Sequence, residues 1–173
     1  NWAAVGEIGT DVYWDKTLKQ EQELAFRMQI ELAKAHKLPI VIHSRETLDW
    51  NINIVREMQD GALRGVFHCF NGTVEQGQEI AELGFYMGLG GVVTFKNGGM
   101  DKVVPYLDKE WCVLETDAPY LTPAPNRGKR NMSSYIPIIA QKVADYWEMS
   151  VEGVAELTTA NVQRLFGYLI SEV

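Results

Sequence analysis

The chain has 173 residues, of which 46% are hydrophobic, and this is enough material for one buried core. Its net charge of −7 and pI near 5.0 argue against broad, charge-driven coating of nucleic acid, while leaving room for a local basic site. No apolar run approaches the roughly 18 residues of a membrane-spanning helix, and the N-terminus lacks the basic and apolar regions of a secretory signal. Because the chain lacks an initiator Met and opens on strand-like residues, we expect its start to be a cut.

Short apolar runs alternate with amphipathic stretches over the first two thirds of the chain. The runs are rich in Val, Ile, Phe and Leu and are bounded by Gly or Pro, which is typical of parallel strands buried on both faces. Five strands are therefore predicted: Ala3–Gly9, Pro39–Ser44, Gly65–Phe70, Phe85–Gly91 and Cys112–Asp117. Their centres lie about 27 residues apart, a step that suits consecutive βα units.

The amphipathic stretches predict helices. In the first of them, four residues recur with a helical period and should form one apolar stripe: Leu24, Met28, Leu32 and Ala35. A Pro-rich loop, Ala118–Asn131, follows the fifth strand. The predicted helices are Leu18–His36, Thr47–Gln59, Val74–Leu83, a weaker one at Gly98–Tyr106 ended by Pro105, Tyr135–Trp147, Ser150–Thr158 with Ser150 as N-cap, and Asn161–Ile170. Since no linker or low-complexity segment interrupts the chain, we expect a single domain, 1–173.

Four potential metal ligands occupy similar positions within their βα units. Glu7 lies near the end of the first predicted strand, and His43 lies at the end of the second. His68 comes late in the third strand, and Asp117 ends the fifth. The C-terminal strand ends of a parallel barrel converge on one rim, where active sites are built. Imidazole and carboxylate groups at that rim suit Zn²⁺, Mn²⁺ or Mg²⁺, so the pattern favours a metal site.

Each of these residues also has an ordinary structural interpretation. A lone His on an apolar strand is more often a hydrogen-bonded core residue than a ligand, and Asp117 before Ala-Pro suits a turn. The glutamate between two glycines suits a loop. Strand parity supplies a test: if His68 points into the barrel, Phe67 and Cys69 point out toward the helices. His36 lies away from the strand ends, and we interpret it as a surface residue.

The loop after Asp117 carries the dense basic cluster of this acidic chain. Its members are Arg127, Lys129 and Arg130. Because the cluster follows a proposed ligand, it favours an anionic substrate such as a phosphodiester. The alternative is a solvated turn that its arginines brace. Arg45 has two equally weighted interpretations: it reaches the same rim, or it pairs with Glu46 or Asp49.

Seven stretches of the chain match one known family in order and spacing. They are Gly6-Glu-Ile-Gly-Thr-Asp11, Pro39-Ile-Val-Ile-His-Ser-Arg45, Gly65-Val-Phe-His-Cys-Phe-Asn-Gly72, Gly84-Phe-Tyr-Met-Gly88, Leu114-Glu-Thr-Asp-Ala-Pro-Tyr-Leu121, Arg127-Gly-Lys-Arg-Asn131 and Asn161-Val-Gln-Arg-Leu-Phe166. Through them the chain resembles the TatD family of metal-dependent deoxyribonucleases, within the amidohydrolase-like barrels. The similarity covers essentially the whole chain.

This resemblance implies a role for each matching residue. Glu7 matches the family's metal-bridging glutamate, and His43 and His68 match its two later histidine ligands. Asp117 matches the aspartate that binds metal and orients or deprotonates the attacking water, so Asp117 and Glu7 are the expected catalytic residues. The cofactors implied are divalent metal ions, two per complete site, with Mg, Mn and Zn as candidates. The expected substrate-binding residues are Arg45, Arg127 and Arg130.

Two departures from the family pattern matter. Family members carry a His-x-His pair on the first barrel strand, and this chain has no such pair among its three histidines. A closed barrel needs roughly 200 residues or more. We therefore expect the C-terminal part, about five βα units plus terminal helices, of a TIM-type (β/α)8 barrel that is N-terminally incomplete. The smaller departure is Met132-Ser133, where many relatives carry Glu-Pro. Glu115 has the same strand parity as Asp117, and we expect it to support the ligands from one layer deeper.

The leading hypothesis is a cytoplasmic, TatD-like deoxyribonuclease that cleaves phosphodiester bonds of DNA through a metal-activated water, with no membrane partner. Cys69 and Cys112 are then buried free thiols in a reducing compartment. One alternative is an amidohydrolase-like barrel hydrolase of amides, lactones or phosphotriesters, although the basic cluster fits phosphodiesters better. The other is a catalytically incomplete fragment whose exposed edge strands favour self-association.

Overall fold

The computed structural model describes residues 2–167, and this part contains one sheet of five parallel strands that pair in chain order. The strands are Val5–Asp11 (β1), Ile40–Arg45 (β2), Gly65–Phe67 (β3), Phe85–Leu89 (β4) and Cys112–Leu114 (β5). All five predicted strands are confirmed, with ends displaced by at most three residues. Consecutive parallel strands joined by helical crossovers are the arrangement of a TIM-type α/β fold.

Helices pack against the outward face of this sheet, and the C-terminal part of the last helix also contacts its inner face. The α-helices are Lys19–Ala35 (α1), Leu48–Met58 (α2), Val74–Glu82 (α3), Ile136–Trp147 (α4) and Val151–Phe166 (α5). Short 3-10 helices occupy Gly91–Thr94, Met100–Lys102, Val104–Tyr106, Lys109–Trp111 and Ser133–Tyr135. The single helix predicted over Gly98–Tyr106 is therefore wrong. Gly99 adopts left-handed backbone at φ 74°, and Pro105 lacks the N–H that an α-helix needs, so only single turns form there.

Helix α5 joins two helices that the sequence predicts separately. Ser150 caps it as predicted, because its Oγ accepts a hydrogen bond from the Gly153 N–H at 3.0 Å. Thr158 Oγ1 donates to the Val154 carbonyl oxygen at 2.8 Å, so the hydroxyl bonds within the helix and does not cap a new one. Asn161 is fully buried, and its Nδ2 donates to the carbonyl oxygens of Lys109 and of Cys112, the first residue of β5. The predicted end of the second helix, at 168–170, lies outside the described residues.

The apolar stripe predicted for α1 is also wrong. Leu24, Met28 and Leu32 are 62%, 64% and 51% exposed, and Ala35 is exposed as well. The side chains that α1 buries are Phe26, Ile30 and Ala33. The helix has apolar residues on two faces, both with helical spacing, and periodicity by itself does not say which face meets the sheet.

The main core lies between the helices and the outward face of the sheet. Phe67 of β3 and Phe85 of β4 meet there edge to face, with ring centroids 5.7 Å apart. Alternate strand residues form a smaller cluster on the inner face, where Val66, Tyr86 and Val113 pack against Leu165 of α5. Side chains of the inner face that lie closer to the C-terminal strand ends are therefore free to form a site. Among the helices within 2–167, none combines the length and apolarity needed to cross a membrane.

A buried polar network fixes the C-terminal ends of β1 and β2. Asn51 of α2 is fully buried, and its Nδ2 donates to the His43 carbonyl oxygen and to Ser44 Oγ, both at 2.8 Å. Its Oδ1 accepts from Thr10 Oγ1 at 2.8 Å, and Thr47 Oγ1 donates to the Thr10 carbonyl oxygen at 2.6 Å. This network holds the backbone from which the His43 side chain projects.

Asn51→Ala is expected to lower the free energy of unfolding by roughly 2–4 kcal/mol, because it leaves several buried polar groups without a partner. Urea unfolding followed by circular dichroism measures the change. Asn53→Ala is the matched control on the exposed face of the same helix, and its effect should stay within about 0.5 kcal/mol. Equal effects of the two substitutions would contradict the network's role.

Candidate metal centre

Strand β1 is irregular at the residue that the sequence singles out. The pairing register between β1 and β2 shifts between Val5 and Ile8, so Glu7 lies inside a bulge. The prediction that Glu7 lies near the end of the strand is wrong, since β1 continues to Asp11. A bulge redirects a side chain relative to the regular pleat. The Glu7 carboxylate thereby reaches the histidine of β2, and half of its side-chain surface remains exposed.

Glu7, His43 and His68 converge on one point at the inner face of the sheet. Glu7 Oε1 lies 2.8 Å from His43 Nδ1 and 2.7 Å from His68 Nε2. The two histidine nitrogens are 3.3 Å apart, and the rings stack with centroids 5.5 Å apart. His68 is the more enclosed of the two, with 11% of its side chain exposed against 34% for His43. Residues of β1 and β2 and the residue that directly follows β3 therefore form one cluster.

Glu115 supports His68 from the side opposite to Glu7. Its Oε1 lies 3.7 Å from His68 Nδ1 and accepts a hydrogen bond from the Cys69 N–H at 2.6 Å. Space for this carboxylate comes from Gly88 of β4, where an added Cβ would lie 2.6 Å from Glu115 Oε2. A carboxylate on the far nitrogen of a histidine ligand fixes its ring and tautomer. The geometry agrees with the supporting position expected for Glu115.

Asp117 follows β5 and lines the same cavity, of about 550 Å³, as Glu7, His43 and His68. Its backbone is left-handed, with φ 53°, a conformation that non-glycine residues seldom adopt and that recurs at functional sites. Asn131, 2% exposed, anchors this turn, because its Nδ2 donates to the Thr116 and Tyr120 carbonyl oxygens at 2.6 and 2.5 Å.

The carboxylates around His68 favour a positive charge at the centre of the cluster. Burial by itself lowers the pKa of His68, but the Glu115 carboxylate, with the charges of Glu7 and Asp117, raises that pKa to about 9. Burial raises the pKa of Asp117, His68 lowers it, and the charges of Glu115 and Glu7 raise it further, so that it stays above its ordinary value. Three carboxylates thus surround one imidazole, and a cation at this point is stabilised.

The donor set fits a divalent cation. Glu7, His43 and His68 each offer one ligand atom, and these three atoms lie within 4.8 Å of one another. Two imidazole nitrogens and a carboxylate oxygen are ligands typical of Zn²⁺ and Mn²⁺ sites. Asp117 faces the same cavity and is available as a further oxygen ligand. The structure thus brings together all four ligands predicted from the sequence, while their metal-binding role stays a prediction.

Cys69 does not point where strand parity predicts. Phe67 does face the helices, where it is buried in the core. However, β3 ends at Phe67, and Cys69 has left-handed backbone with φ 51°, so alternation no longer applies. Its thiol lies beside His68 and Glu115 and lines the site cavity. Burial, together with the nearby carboxylates, raises the pKa of the Cys69 thiol, which disfavours the thiolate form.

Asp11 is a site residue that the sequence reasoning missed. Its Oδ2 lies 3.1 Å from His43 Nε2, on the side of the ring opposite to Glu7, and its Oδ1 accepts from the Tyr13 N–H at 2.8 Å. Although burial raises the pKa of Asp11, these two hydrogen bonds hold that pKa below its usual value. Gln22 of α1 fixes the Asp11 backbone through both of its polar groups. The available signal was its place at the end of the stretch that begins at Gly6.

Asp11→Asn is expected to weaken divalent-metal affinity by roughly 10- to 100-fold, because His43 loses the carboxylate that orients its ring. Isothermal titration calorimetry with Mn²⁺ or Zn²⁺ measures the change. Asp15→Asn is the control in the same loop, since Asp15 bonds only to Thr17 within 2–167 and should leave the affinity unchanged. Unchanged affinity in Asp11→Asn would show that His43 is held by the backbone alone.

Arg45 lies at the site. It lines the cavity with the four predicted ligands, and its guanidinium carbon stands 3.6 Å above the centre of the Tyr13 ring. The alternative pairing is wrong for the described residues, since Glu46 instead pairs with Lys16 and Asp49 accepts a hydrogen bond from Gln76. A role of Arg45 in substrate binding remains a prediction.

The other two predicted substrate-binding arginines do not line this cavity in the described part of the chain. Arg127 stacks over Phe95 at 3.9 Å, and its Nη1 donates to the Thr122 carbonyl oxygen at 3.4 Å. These contacts are those of an arginine that braces its loop, which was the alternative interpretation. Arg130 is exposed. The structure therefore separates Arg45 from the basic cluster that the sequence groups with it.

A parallel TIM-type sheet with a histidine and carboxylate cluster on its inner face defines the class of barrel metal-dependent hydrolases. Comparison with known proteins narrows the class. The family model described as TatD related DNase matches residues 1–167. The chain belongs to this family, as the resemblance in the sequence implied.

Two relatives and two solved structures agree with this assignment. YabD of Bacillus subtilis, named a metal-dependent hydrolase, is 44% identical over 164 residues, which are 94% of this chain and 64% of YabD. The 3'-5' ssDNA/RNA exonuclease TatD of Klebsiella pneumoniae is 32% identical over 98% of this chain and 67% of that protein.

The structure of YjjV, a TatD homologue from Escherichia coli, superposes with a TM-score of 0.90 at 27% identity, covering 96% of this chain and 64% of that one. A TatD family hydrolase of Entamoeba histolytica superposes with a TM-score of 0.82 at 21% identity, over 95% of this chain and 63% of that one, and so supports the fold alone. The chain thus spans about two thirds of the length of these proteins.

Proposed function

We propose that the protein is a metal-dependent nuclease that hydrolyses phosphodiester bonds of DNA. The observation that carries this proposal is the convergence of Glu7 with His43 and His68 in a cavity that Asp117 and Arg45 also line. A relative named as an ssDNA/RNA exonuclease supports the choice of nucleic acid as substrate. The Glu7, His43, His68 and Asp117 side chains would hold divalent ions, two in a complete site, with Mg, Mn and Zn as candidates.

Each residue has a defined part in the proposed reaction. Bound divalent ions supply a Lewis acid that acidifies water and neutralises charge on the phosphate. Asp117 accepts the proton of the attacking water, a role that suits a carboxylate whose pKa lies above its ordinary value. Glu7 lies between the two histidines, and its carboxylate fixes the position of both rings. Arg45 donates hydrogen bonds to a phosphate oxygen from the wall of the cavity.

The context of the site agrees with an intracellular enzyme of one domain. Cys69 and Cys112 are both free thiols, which supports a reducing, cytoplasmic location. One continuous core cluster extends from β1 to α5, which supports a single domain over 1–173. The basic loop around Arg127 and Arg130 is proposed to contact substrate phosphates farther along the strand.

The deciding experiment follows release of nucleotides from end-labelled single-stranded DNA in the presence of Mg²⁺, Mn²⁺ or Zn²⁺, with EDTA as control. Metal-dependent release is expected. Turnover of a neutral ester or lactone without release of nucleotides would instead support the barrel hydrolase of other substrates. Loss of both activities, together with weak metal binding by this chain, would support the catalytically incomplete fragment.

A further inference from the structure

The loop between β1 and α1 carries two exposed aromatic side chains. Tyr13 is 44% exposed and Trp14 is 83% exposed. Their rings meet edge to face, with centroids 4.8 Å apart and planes at 89°. This contact leaves a broad face of the indole open to solvent. Exposed aromatic faces are common on surfaces, so the pair becomes informative only through its neighbours.

Arg45 connects this aromatic pair to the metal cavity. Its guanidinium carbon lies 3.6 Å from the centre of the Tyr13 ring and 5.9 Å from that of Trp14. Arg45 also lines the cavity that contains His43 and Asp117. Stacking fixes the plane of a guanidinium and leaves the N–H groups at its edge available. Trp14 therefore lies beside an oriented guanidinium, at the cavity wall, that can donate hydrogen bonds to a phosphate.

The loop is held in place by its own hydrogen bonds. The Val12 N–H donates to the Arg45 carbonyl oxygen at 3.2 Å, and the Tyr13 N–H donates to Asp11 Oδ1 at 2.8 Å. Asp15 accepts from the N–H and hydroxyl of Thr17 at 2.8 and 2.6 Å. Because Asp11 also contacts His43, the aromatic pair and a predicted metal ligand share one support. A preorganised surface of this kind binds with a small entropic cost.

We propose that Tyr13, Trp14 and Arg45 form a platform for an unpaired nucleotide at the mouth of the cavity. The Trp14 indole stacks on the nucleobase, Arg45 donates to the adjoining phosphate, and Tyr13 positions Arg45. The inference rests on the proposed function and adds the part of the substrate that is recognised: a base with a free face, as in a single strand. Stacking of this type tolerates any base, because every base has a π-face.

The test compares two labelled oligomers of equal length and charge: oligothymidylate and the same backbone without bases. Binding is measured by fluorescence anisotropy in EDTA, so hydrolysis does not enter. Wild-type protein should bind the base-free oligomer roughly 5- to 150-fold more weakly than oligothymidylate. Trp14→Ala should lose the same factor on oligothymidylate and little more on the base-free oligomer, while Trp14→Phe retains most of the affinity. Tyr106→Ala removes an aromatic side chain that is 70% exposed and lies outside the cavity lining, and it should leave both affinities unchanged.

Three outcomes overturn the platform. They are equal wild-type affinity for the two oligomers, unchanged affinity in Trp14→Ala, and equal losses in Trp14→Ala on both oligomers. The comparison of wild-type affinities requires no variant, so misfolding of a variant does not affect its result. Any of them can occur while metal-dependent hydrolysis persists, and then only the platform fails. A different result separates the two proposals. If the wild type prefers the oligomer with bases, if this preference depends on Trp14, and if the wild type does not hydrolyse DNA, the platform is supported and the nuclease proposal is refuted.

Discussion

His68→Ala is expected to remove tightly bound divalent metal and to lower metal-dependent hydrolysis of DNA by at least about 100-fold. His68 Nε2 lies 2.7 Å from Glu7 Oε1, and its other nitrogen faces Glu115 at 3.7 Å. The substitution therefore removes a ligand and leaves carboxylates facing each other across its place. The fold should persist, because the residue that packs into the core at this point is Phe67. Metal content by mass spectrometry and nucleotide release measure the two effects.

His36 provides the matched control for this prediction. It is exposed at the end of α1, as the sequence predicted, and lies away from the cavity. His36→Ala should retain metal content and rate within about twofold of wild type, in line with the small effects of surface substitutions. If His68→Ala keeps its metal and its activity, the assignment of the ligands is wrong. If it unfolds in a denaturation experiment, the loss of activity says nothing about the ligand, and metal titration of His43→Ala takes its place.

The strands and the four ligand positions were predictable because they depend on local patterns. Continuous apolar runs bounded by Gly or Pro identify buried parallel strands, and chain order then places their ends on one rim. His43 is the third residue from the end of β2 and lies near the C-terminal end of the strand, as expected. Glu7 contacts the same histidines because of a bulge in β1, and the periodicity of the sequence does not predict that bulge. The residue types were sufficient to predict that these four side chains line one cavity, whereas the geometry of β1 required the structure.

Interactions between distant segments account for what the sequence did not predict. Arg127 stacks on Phe95, and nothing in either local sequence indicates that contact. Asp11 becomes a partner of His43 only because β1 and β2 pair in register beyond the bulge. The buried face of α1 was misassigned for a related reason: two apolar faces have the same period, and the choice between them depends on where the sheet lies.

Asp117→Asn is the second substitution with a large expected effect. We expect hydrolysis to fall by roughly 10²- to 10⁴-fold, because an amide cannot accept the proton of the attacking water. Metal affinity should fall less than in His68→Ala, since the Glu7, His43 and His68 donors remain. Asparagine suits this position because it tolerates the left-handed backbone, here φ 53°, better than most residues. The substitution also retains the hydrogen bond from the Tyr120 N–H to the backbone carbonyl oxygen of residue 117, at 2.8 Å.

The comparison of rate with affinity separates the two roles of Asp117. Single-turnover hydrolysis at saturating metal gives the rate, and calorimetric titration of the same preparation gives the affinity. Asp101→Asn, an exposed carboxylate away from the cavity, controls for the loss of one charge. A rate that recovers fully at saturating metal would show that Asp117 is a ligand and not the proton acceptor. A rate that stays low while the metal is bound is the expected result, and it assigns proton transfer to this carboxylate.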